Sequence, residues 1–417
     1  MQKLLSKNRW VIMAAAISIQ VCTSFPALWA VFQQSAADTY GITLAQSAMV
    51  FPMCTAFYGV FSIIGGKMQD TMSPRVTCII GSVFMSGGVI ALALLGEGTN
   101  INTLYLAFSM PFGGGCGLIF PAMINPVMKW YADKKGFAMG TSGAVATGIL
   151  VIMTYLSKTL LGTWGMKKTV FIYGISFLVV SLISCIFFEN PTDEYIKEKT
   201  ALSKVGGKGA KARPVVDFTP REMLKTNQYY LLLAAGICAA PAYMLIAPSI
   251  VTMGVSRGLD INQAVSAVAL ATGTSAIGKF IIPTLSDKIG RKKCAVIFLS
   301  ITLVLSVLLM RAGGTSLLII YPAMVCAHGG WAMLITPFGN DMFGFKNAGT
   351  NSGLVSIYST VSAFAGPILV GVFTPLLFEH TNHYIAIAGV GVAVICIALL
   401  NPDTSKIKDK WAENSAK

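Results

Sequence analysis

Apolar stretches long enough for a helix to cross a bilayer, about 20 residues each, recur along the whole chain. Short polar or basic turns separate them. The pattern predicts twelve membrane-spanning helices, over 10–34, 45–66, 76–96, 102–128, 136–157, 169–189, 228–253, 262–285, 294–311, 316–339, 350–376 and 383–400. The alternating ten-residue segments of a transmembrane barrel are missing from the sequence. The expected fold class is therefore an all-α membrane protein.

One polar stretch is much longer than the other turns. Residues 190–227 contain the run KVGGKGAKARP and read as a linker between six spans and six spans. The domain organisation expected is an N-terminal six-helix bundle over 1–189, a cytoplasmic linker over 190–227, and a C-terminal six-helix bundle over 228–417. A repeat supports this division. GGKMQDTMSPR follows span 2, and PTLSDKIGRKK follows span 8, the second span of the second half. In register, Asp70 pairs with Asp287, Ser73 with Gly290, Pro74 with Arg291 and Arg75 with Lys292. A duplicated unit with a tight turn between two antiparallel helices accounts for both copies. The aspartates are placed to accept hydrogen bonds at a neighbouring helix N-terminus, and the basic residues to face anionic headgroups.

Composition agrees with the pattern. Apolar residues make up 54% of the chain and charged residues 12%, about half the charge content of soluble domains. The net charge of +14 raises the question of a nucleic-acid partner. The basic residues, however, lie in short turns between spans, which is the arrangement that orients membrane proteins. Of the 31 Lys and Arg residues, 25 fall on one side of the membrane, five fall on the other, and Lys279 falls inside a span. With that asymmetry both termini are expected in the cytoplasm, at the cell membrane, with a bacterial inner membrane as the setting. The nine cysteines lie in nine different spans without a CxxC pair, as suits small packing residues rather than disulfides or a metal site.

Of the 48 Asp, Glu, Lys and Arg residues, Lys279 is the one that the pattern buries. It lies eight residues before Asp287, so about 12 Å inside the end of its helix. A charge at that depth costs about 2.5–3.5 kcal/mol on insertion scales and marks a functional site. Its neighbours at helical spacing, Thr272, Ser275, Pro283 and Ser286, form a small polar stripe suited to a water-filled cavity. Leu270, Ile277, Phe280 and Ile281 form the other face, suited to lipid or to packing. The reading is a binding charge for an anion that crosses the membrane.

The twelve spans in two halves, the central basic linker and the D-x-x-G-R-K turn resemble the major facilitator superfamily. Segment 112–144, FGGGCGLIFPAMINPVMKWYADKKGFAMGTSGA, is similar to its monocarboxylate-transporter and oxalate:formate-antiporter branch. The shared turn comprises Trp130, Tyr131, Asp133, Lys134, Lys135, Gly136, Ala138 and Gly140. The resemblance implies two pseudo-symmetric six-helix bundles that expose one midplane site alternately to each side. It also implies that a cation on helix 8, usually arginine, holds a substrate carboxylate. Lysine here supplies a point charge instead of a bidentate fork. Members that carry a dicarboxylate are expected to place a second cation on helix 11, at a position that aligns with Ser359. One buried cation matches one carboxylate, so a small organic monocarboxylate is favoured, moved by antiport or proton symport. An oxalate/formate-type dicarboxylate exchanger and a multidrug-type efflux carrier are the alternatives.

Other candidates rest on residue type and span position. His328, near the centre of span 10, can relay protons, and Trp331 can close one side of the cavity. Asn125 among the glycines of span 4 either lines the cavity or packs helices closely. Ser275 and Trp29 complete the expected binding set, and Asp70, Arg75, Asp287, Gly290 and Arg291 the turn motifs. The sequence holds no Walker A motif, no enzyme constellation, and no cofactor or metal motif. The expected partners are the substrate, the bilayer and, for symport, protons; a monomer is expected. The particular carboxylate, the direction of transport and the coupling are open at this stage.

Overall fold

The computed structural model describes residues 8–206, 216–377 and 380–408. The linker run 207–215 and both chain ends, which entered the charge count, lie outside the described residues. The described chain is helical, and its helices follow the apolar pattern. The first pass, α1, comprises Arg9–Thr23, a 3-10 turn Phe25–Leu28 and Trp29–Tyr40. It bends by 44° at the break, where Pro26 lacks the N–H that a continuous helix needs. Next come α2 (Leu44–Ala48 and Val50–Thr71), α3 (Pro74–Leu94) and α4 (Ile101–Leu104 through a π turn into Met110–Trp130).

The fifth and sixth passes form one run, Lys135–Cys185, broken at Gly165. There φ is +71°, a value that favours glycine. We label 135–164 α5 and 166–185 α6. The turn predicted between these spans is thus nearly absent, because one left-handed residue reverses the chain. The seventh pass, α7, is broken into Asn227–Ala239, Pro241–Met244, Ala247–Ser249 and Ile250–Ser256. The rest are continuous: α8 (Ile261–Ile289), α9 (Arg291–Arg311), α10 (Leu317–Phe343), α11 (Ala348–Leu377) and α12 (Thr381–Leu399). The linker is not wholly irregular. An additional helix, Asp193–Gly206, begins where Tyr195 packs on Trp130, with ring centroids 5.0 Å apart.

One hydrophobic core gathers residues from Ile12 to Phe188. Two others gather residues from Phe218 to Leu400. The two groups of helices meet mainly along two seams, α2 against α11 and α5 against α8. Glycine makes these seams close. A Cβ added to Gly66 would lie 2.2 Å from the Gly349 carbonyl oxygen, and one added to Gly136 would lie 1.9 Å from the Pro283 carbonyl oxygen. Outward from the seams, Leu270, Ile277, Phe280 and Ile281 of α8 are exposed, as a lipid-facing side requires.

The two repeated turns lock one end of both seams. Asp70, near the end of α2, accepts from the Gly349 and Thr350 N–H groups at 3.0 and 2.8 Å, and from the Thr350 hydroxyl at 2.7 Å. Asp287, near the end of α8, accepts from the Gly136 and Phe137 N–H groups at 2.9 Å each. Each carboxylate therefore satisfies the orphan N–H groups and the positive dipole end of a helix in the opposite half. The basic residues depart from the expected headgroup contacts. Arg75 pairs with Glu189 at 3.7 Å. Arg291 pairs with Asp287 at 2.7 Å and Asp341 at 2.9 Å, and Lys135 reaches the same Asp341 at 2.7 Å. Protein carboxylates lie close enough to win these cations. Gly290, at φ +94°, is the single residue that turns α8 into α9.

Candidate functional site

A cavity of about 280 Å³ opens between the halves, near the lower size limit of typical ligand pockets. Helix α1 contributes Gln20, Thr23 and Ser24, α2 contributes Thr55 and Tyr58, and α5 contributes Gly143 and Thr147. From the other half come Lys279 of α8, Met333 of α10 and Ser359 of α11. A larger groove of about 410 Å³ runs over α1, α5 and α6. Its lining is mostly aliphatic, including Ile17, Val21, Met153 and Leu160, and suits acyl chains rather than a polar solute.

Lys279 points into the cavity because its helix turns its opposite face outward. Its ammonium donates to Thr147 Oγ1 at 2.7 Å. Thr147 in turn donates to the Gly143 carbonyl at 2.7 Å. The cation therefore spans the α5–α8 seam and rests on a neutral hydroxyl; no carboxylate pairs with it among the described residues. A close backbone approach holds the lysine in place. A Cβ added to Gly140 would sit 2.8 Å from the Lys279 carbonyl oxygen, and Gly329 passes beside the lysine stem and the Ser275 hydroxyl. Ser275 is buried one turn from Lys279.

The other expected site residues divide. Ser359 lines the cavity, with its hydroxyl turned back to the Ser356 carbonyl at 2.8 Å. His328 stacks on Tyr243 of α7, with centroids 5.7 Å apart and planes at 15°. Its Nδ1 has no protein partner, and the ring is not among the cavity-lining groups.

Trp331, Trp29 and Asn125 require correction. Trp331 is buried in the core of the C-terminal helices, because its position on α10 turns it away from the seam. Trp29 is buried beyond the α1 break, where its Nε1 donates to the Ser47 carbonyl at 2.8 Å and its ring stacks on Phe108. Asn125 is fully buried and is not among the cavity-lining residues. Its Nδ2 donates to Gln69 Oε1 at 3.1 Å, while its Oδ1 accepts from Asn340 Nδ2 at 3.0 Å and Ser352 Oγ at 3.2 Å. Four side chains from α2, α4, α10 and α11 thus form a buried polar joint between the halves. The glycines of α4 do the packing foreseen for them: a Cβ at Gly113 would meet the Cys54 carbonyl oxygen at 2.1 Å.

Thr147 is a cavity residue that the sequence reading left out, and Gln20, polar-capable on span 1 like Trp29, is the one it passed over for Trp29. The stripe Gly136, Gly140, Gly143, Thr147 on α5 carried a signal, since its spacing puts small residues on one face. Which of Gln20 and Trp29 faces the cavity depends on where the bend in α1 places the helix end.

Two packed groups of helices, closed together at one end, enclose a cavity whose lining is mostly apolar and holds a single cation, Lys279. The chain belongs to the Major Facilitator Superfamily, whose family model matches residues 11–367. It is 24% identical to the oxalate:formate antiporter of Oxalobacter formigenes, over 88% of this chain and 85% of that one. It is 22% identical to the probable sulfoacetate transporter SauU of Cupriavidus necator, over 88% and 87%. Among solved structures, the proton:xylose symporter XylE superposes with a TM-score of 0.70 at 13% identity, covering 95% of this chain and 96% of that one. The transporter FucP, in its outward conformation, superposes with a TM-score of 0.67 at 13% identity, covering 93% and 98%.

Proposed function

We propose that this transporter carries a small organic monocarboxylate, bound by Lys279 and moved by alternating access as antiport or proton symport. The observation that carries the reading is the Lys279 ammonium, set in the cavity between the halves with a neutral hydroxyl as its partner. A substrate carboxylate supplies the missing charge, so the loaded cavity encloses a neutral pair where the unloaded one encloses a cation. That difference favours closure around substrate, because an unpaired buried charge is costly. The similarity to an oxalate:formate antiporter and a probable sulfoacetate transporter supports an anionic substrate. It also keeps dicarboxylate exchange as a second reading. Against that reading, the helix 11 position at which a second cation was expected is Ser359, a neutral wall residue. A cationic-drug carrier is disfavoured by the sign of the cavity charge. The skew of basic residues supports a cytoplasmic side for the locked end of the seams and for both termini.

The test is a thermal-shift and binding screen of formate, acetate, lactate, pyruvate and oxalate on wild type and Lys279→Ala. Ligand-dependent stabilisation of wild type and its loss in the variant support the proposal. An equal response of both proteins to the best ligand refutes it.

A further inference from the structure

We propose that the groove over α1, α5 and α6 binds an anionic phospholipid, with one acyl chain along the groove and the headgroup phosphate at Lys168 and Trp164. This site shares no lining residue with the cavity that holds Lys279, and it does not rest on the proposed substrate.

The groove has the chemistry and the length of a chain site. Ile149 and Leu160 of α5 mark its two ends, 11 positions apart, or about 16 Å along a helix. One leaflet of the hydrocarbon core is about 15 Å deep. Two of its polar side chains are satisfied within the protein. The Ser18 hydroxyl donates to the Ala14 carbonyl at 2.9 Å, and the Tyr173 and Ser157 hydroxyls pair at 2.7 Å. Leu156, Ile172 and Val180 are exposed at the rim, so the groove opens sideways, toward the bilayer.

Both helical walls lead to one surface. Helix α5 starts at the locked end of the seams, where Gly136 meets Asp287, so the α5–α6 turn lies at the opposite face of the membrane. On α5 the groove residues Met153, Leu156 and Leu160 follow at three and four positions, and Trp164 is the next step. On α6, Lys168 lies one turn before Ile172, with Ser176 and Val180 beyond it. Trp164 and Lys168 are both exposed, on either side of the left-handed Gly165. Tryptophan is favoured at headgroup level, and a lysine stem can lie on apolar surface while its ammonium reaches a phosphate.

The charge here favours a net-negative headgroup. The chain has no Asp or Glu between Asp133 and Glu189. No carboxylate pairs with Lys168 among the described residues. Lys168 also sits in the first turn of α6, where the helix dipole adds positive potential. A zwitterionic headgroup would bring a second cation to this place. Lys158 carries the same charge near the same turn, but it lies two positions from both Leu156 and Leu160 and therefore on the opposite face of α5. Helix α1 separates the groove from the cavity: Ile17 and Val21 face the groove, while Gln20 and Ser24 face the cavity. A chain in the groove packs against the back of that wall, so occupancy should stabilise the N-terminal helices.

The experiment uses the purified full-length transporter in detergent. It is given phosphatidylglycerol, phosphatidylcholine with the same acyl chains, or glycerol phosphate, which has the anionic group without chains. Native mass spectrometry counts retained lipid, and the thermal midpoint is followed alongside, for wild type, Lys168→Gln, Lys158→Gln and Ile172→Trp. Wild type should retain phosphatidylglycerol about fivefold better than phosphatidylcholine, the scale of one lysine facing anionic lipid. Phosphatidylglycerol should also raise its midpoint, and glycerol phosphate should do neither. Lys168→Gln should remove the preference and Lys158→Gln should keep it. Ile172→Trp, which fills the groove from its rim, should lower retention of both lipids. Equal retention of the two lipids by wild type, equal effects of Lys168→Gln and Lys158→Gln, or full stabilisation by glycerol phosphate overturns the proposal. So does a dimer that Ile172→Trp dissociates, since a second copy would then occupy the groove. The comparison of the two lysine variants decides the matter even if Ile172→Trp fails to fold.

Discussion

Replacing Asp287 with asparagine removes one lock on the α5–α8 seam while preserving side-chain size. In the structure both carboxylate oxygens accept N–H groups at the start of α5, at 2.9 Å each, and the same side chain pairs with Arg291 at 2.7 Å. Asparagine keeps one acceptor oxygen, turns an NH₂ group toward the second N–H, and loses the charge that faces both the helix dipole and the arginine. A hydrogen bond to a charged group contributes about 1.5–3 kcal/mol and a carboxylate at a helix N-terminus about 0.3–2 kcal/mol. Allowing for overlap between these effects, the substitution should cost the sealed arrangement about 2–4 kcal/mol, a shift of about 30- to 1000-fold in the equilibrium with the arrangement open at this end. Within a half the substitution weakens only the Asp287–Arg291 pair, and Arg291 keeps its pair with Asp341 at 2.9 Å, so the thermal midpoint should change little. The assay is a spin-label distance measurement between Lys67 and Lys346, both exposed at this end on opposite halves. A longer-distance population should appear in Asp287→Asn and grow in the Asp70→Asn/Asp287→Asn double variant, since the two locks lie on separate seams. Unchanged distances in the double variant, or a large fall in its thermal midpoint, would refute the view that these carboxylates hold the halves together instead of folding each one.

Lys279→Arg should retain anion binding, while Lys279→Gln should lose it, as read by ligand-induced thermal shift; equal loss in both would mean that the charge is not what matters. Asn125→Ala should cost about 1–3 kcal/mol, because Gln69, Asn340 and Ser352 are left short of buried partners, and a double-mutant cycle with Asn340→Ala should show coupling across the halves. Gly66→Val should weaken the α2–α11 seam more than Asp70→Asn does, since its side chain meets backbone at Gly349; the same spin-label pair reads this. The N–H of Thr219, with help from Lys408, holds the Glu222 carboxyl below the usual carboxylate range. A lowered folded value means that its contribution is present above the unfolded value of about 4.3 and is lost as pH falls below it. Glu222→Gln, imitating the acid form at neutral pH, should therefore raise hydrogen exchange around 219–226, and unchanged exchange would contradict the assignment.

Trp331 and Trp29 lie away from the cavity, and Asn125 takes the packing alternative, for a shared reason. Residue type and span number place a side chain on a helix but not around it, and a rotation of about 100° per residue decides between cavity, core and lipid. Lys279 escaped that ambiguity because only one orientation avoids exposing a charge to hydrocarbon. The two aspartates escaped it as well, because their repetition in register pointed to one shared geometry.

The sequence by itself determined the membrane-spanning helices, the six-and-six repeat and the one cation deep inside a span. These follow from costs that each segment meets locally: hydrocarbon excludes unpaired backbone groups and charges whatever the rest of the chain does. Only the tertiary structure decided that Lys279 meets Thr147, and that Asp287 reaches an N–H 151 positions away and Asp70 one 279 positions away. Those contacts depend on the rotation, depth and bend of several helices at once. No local pattern encodes that choice, and close packing of the two halves resolves it.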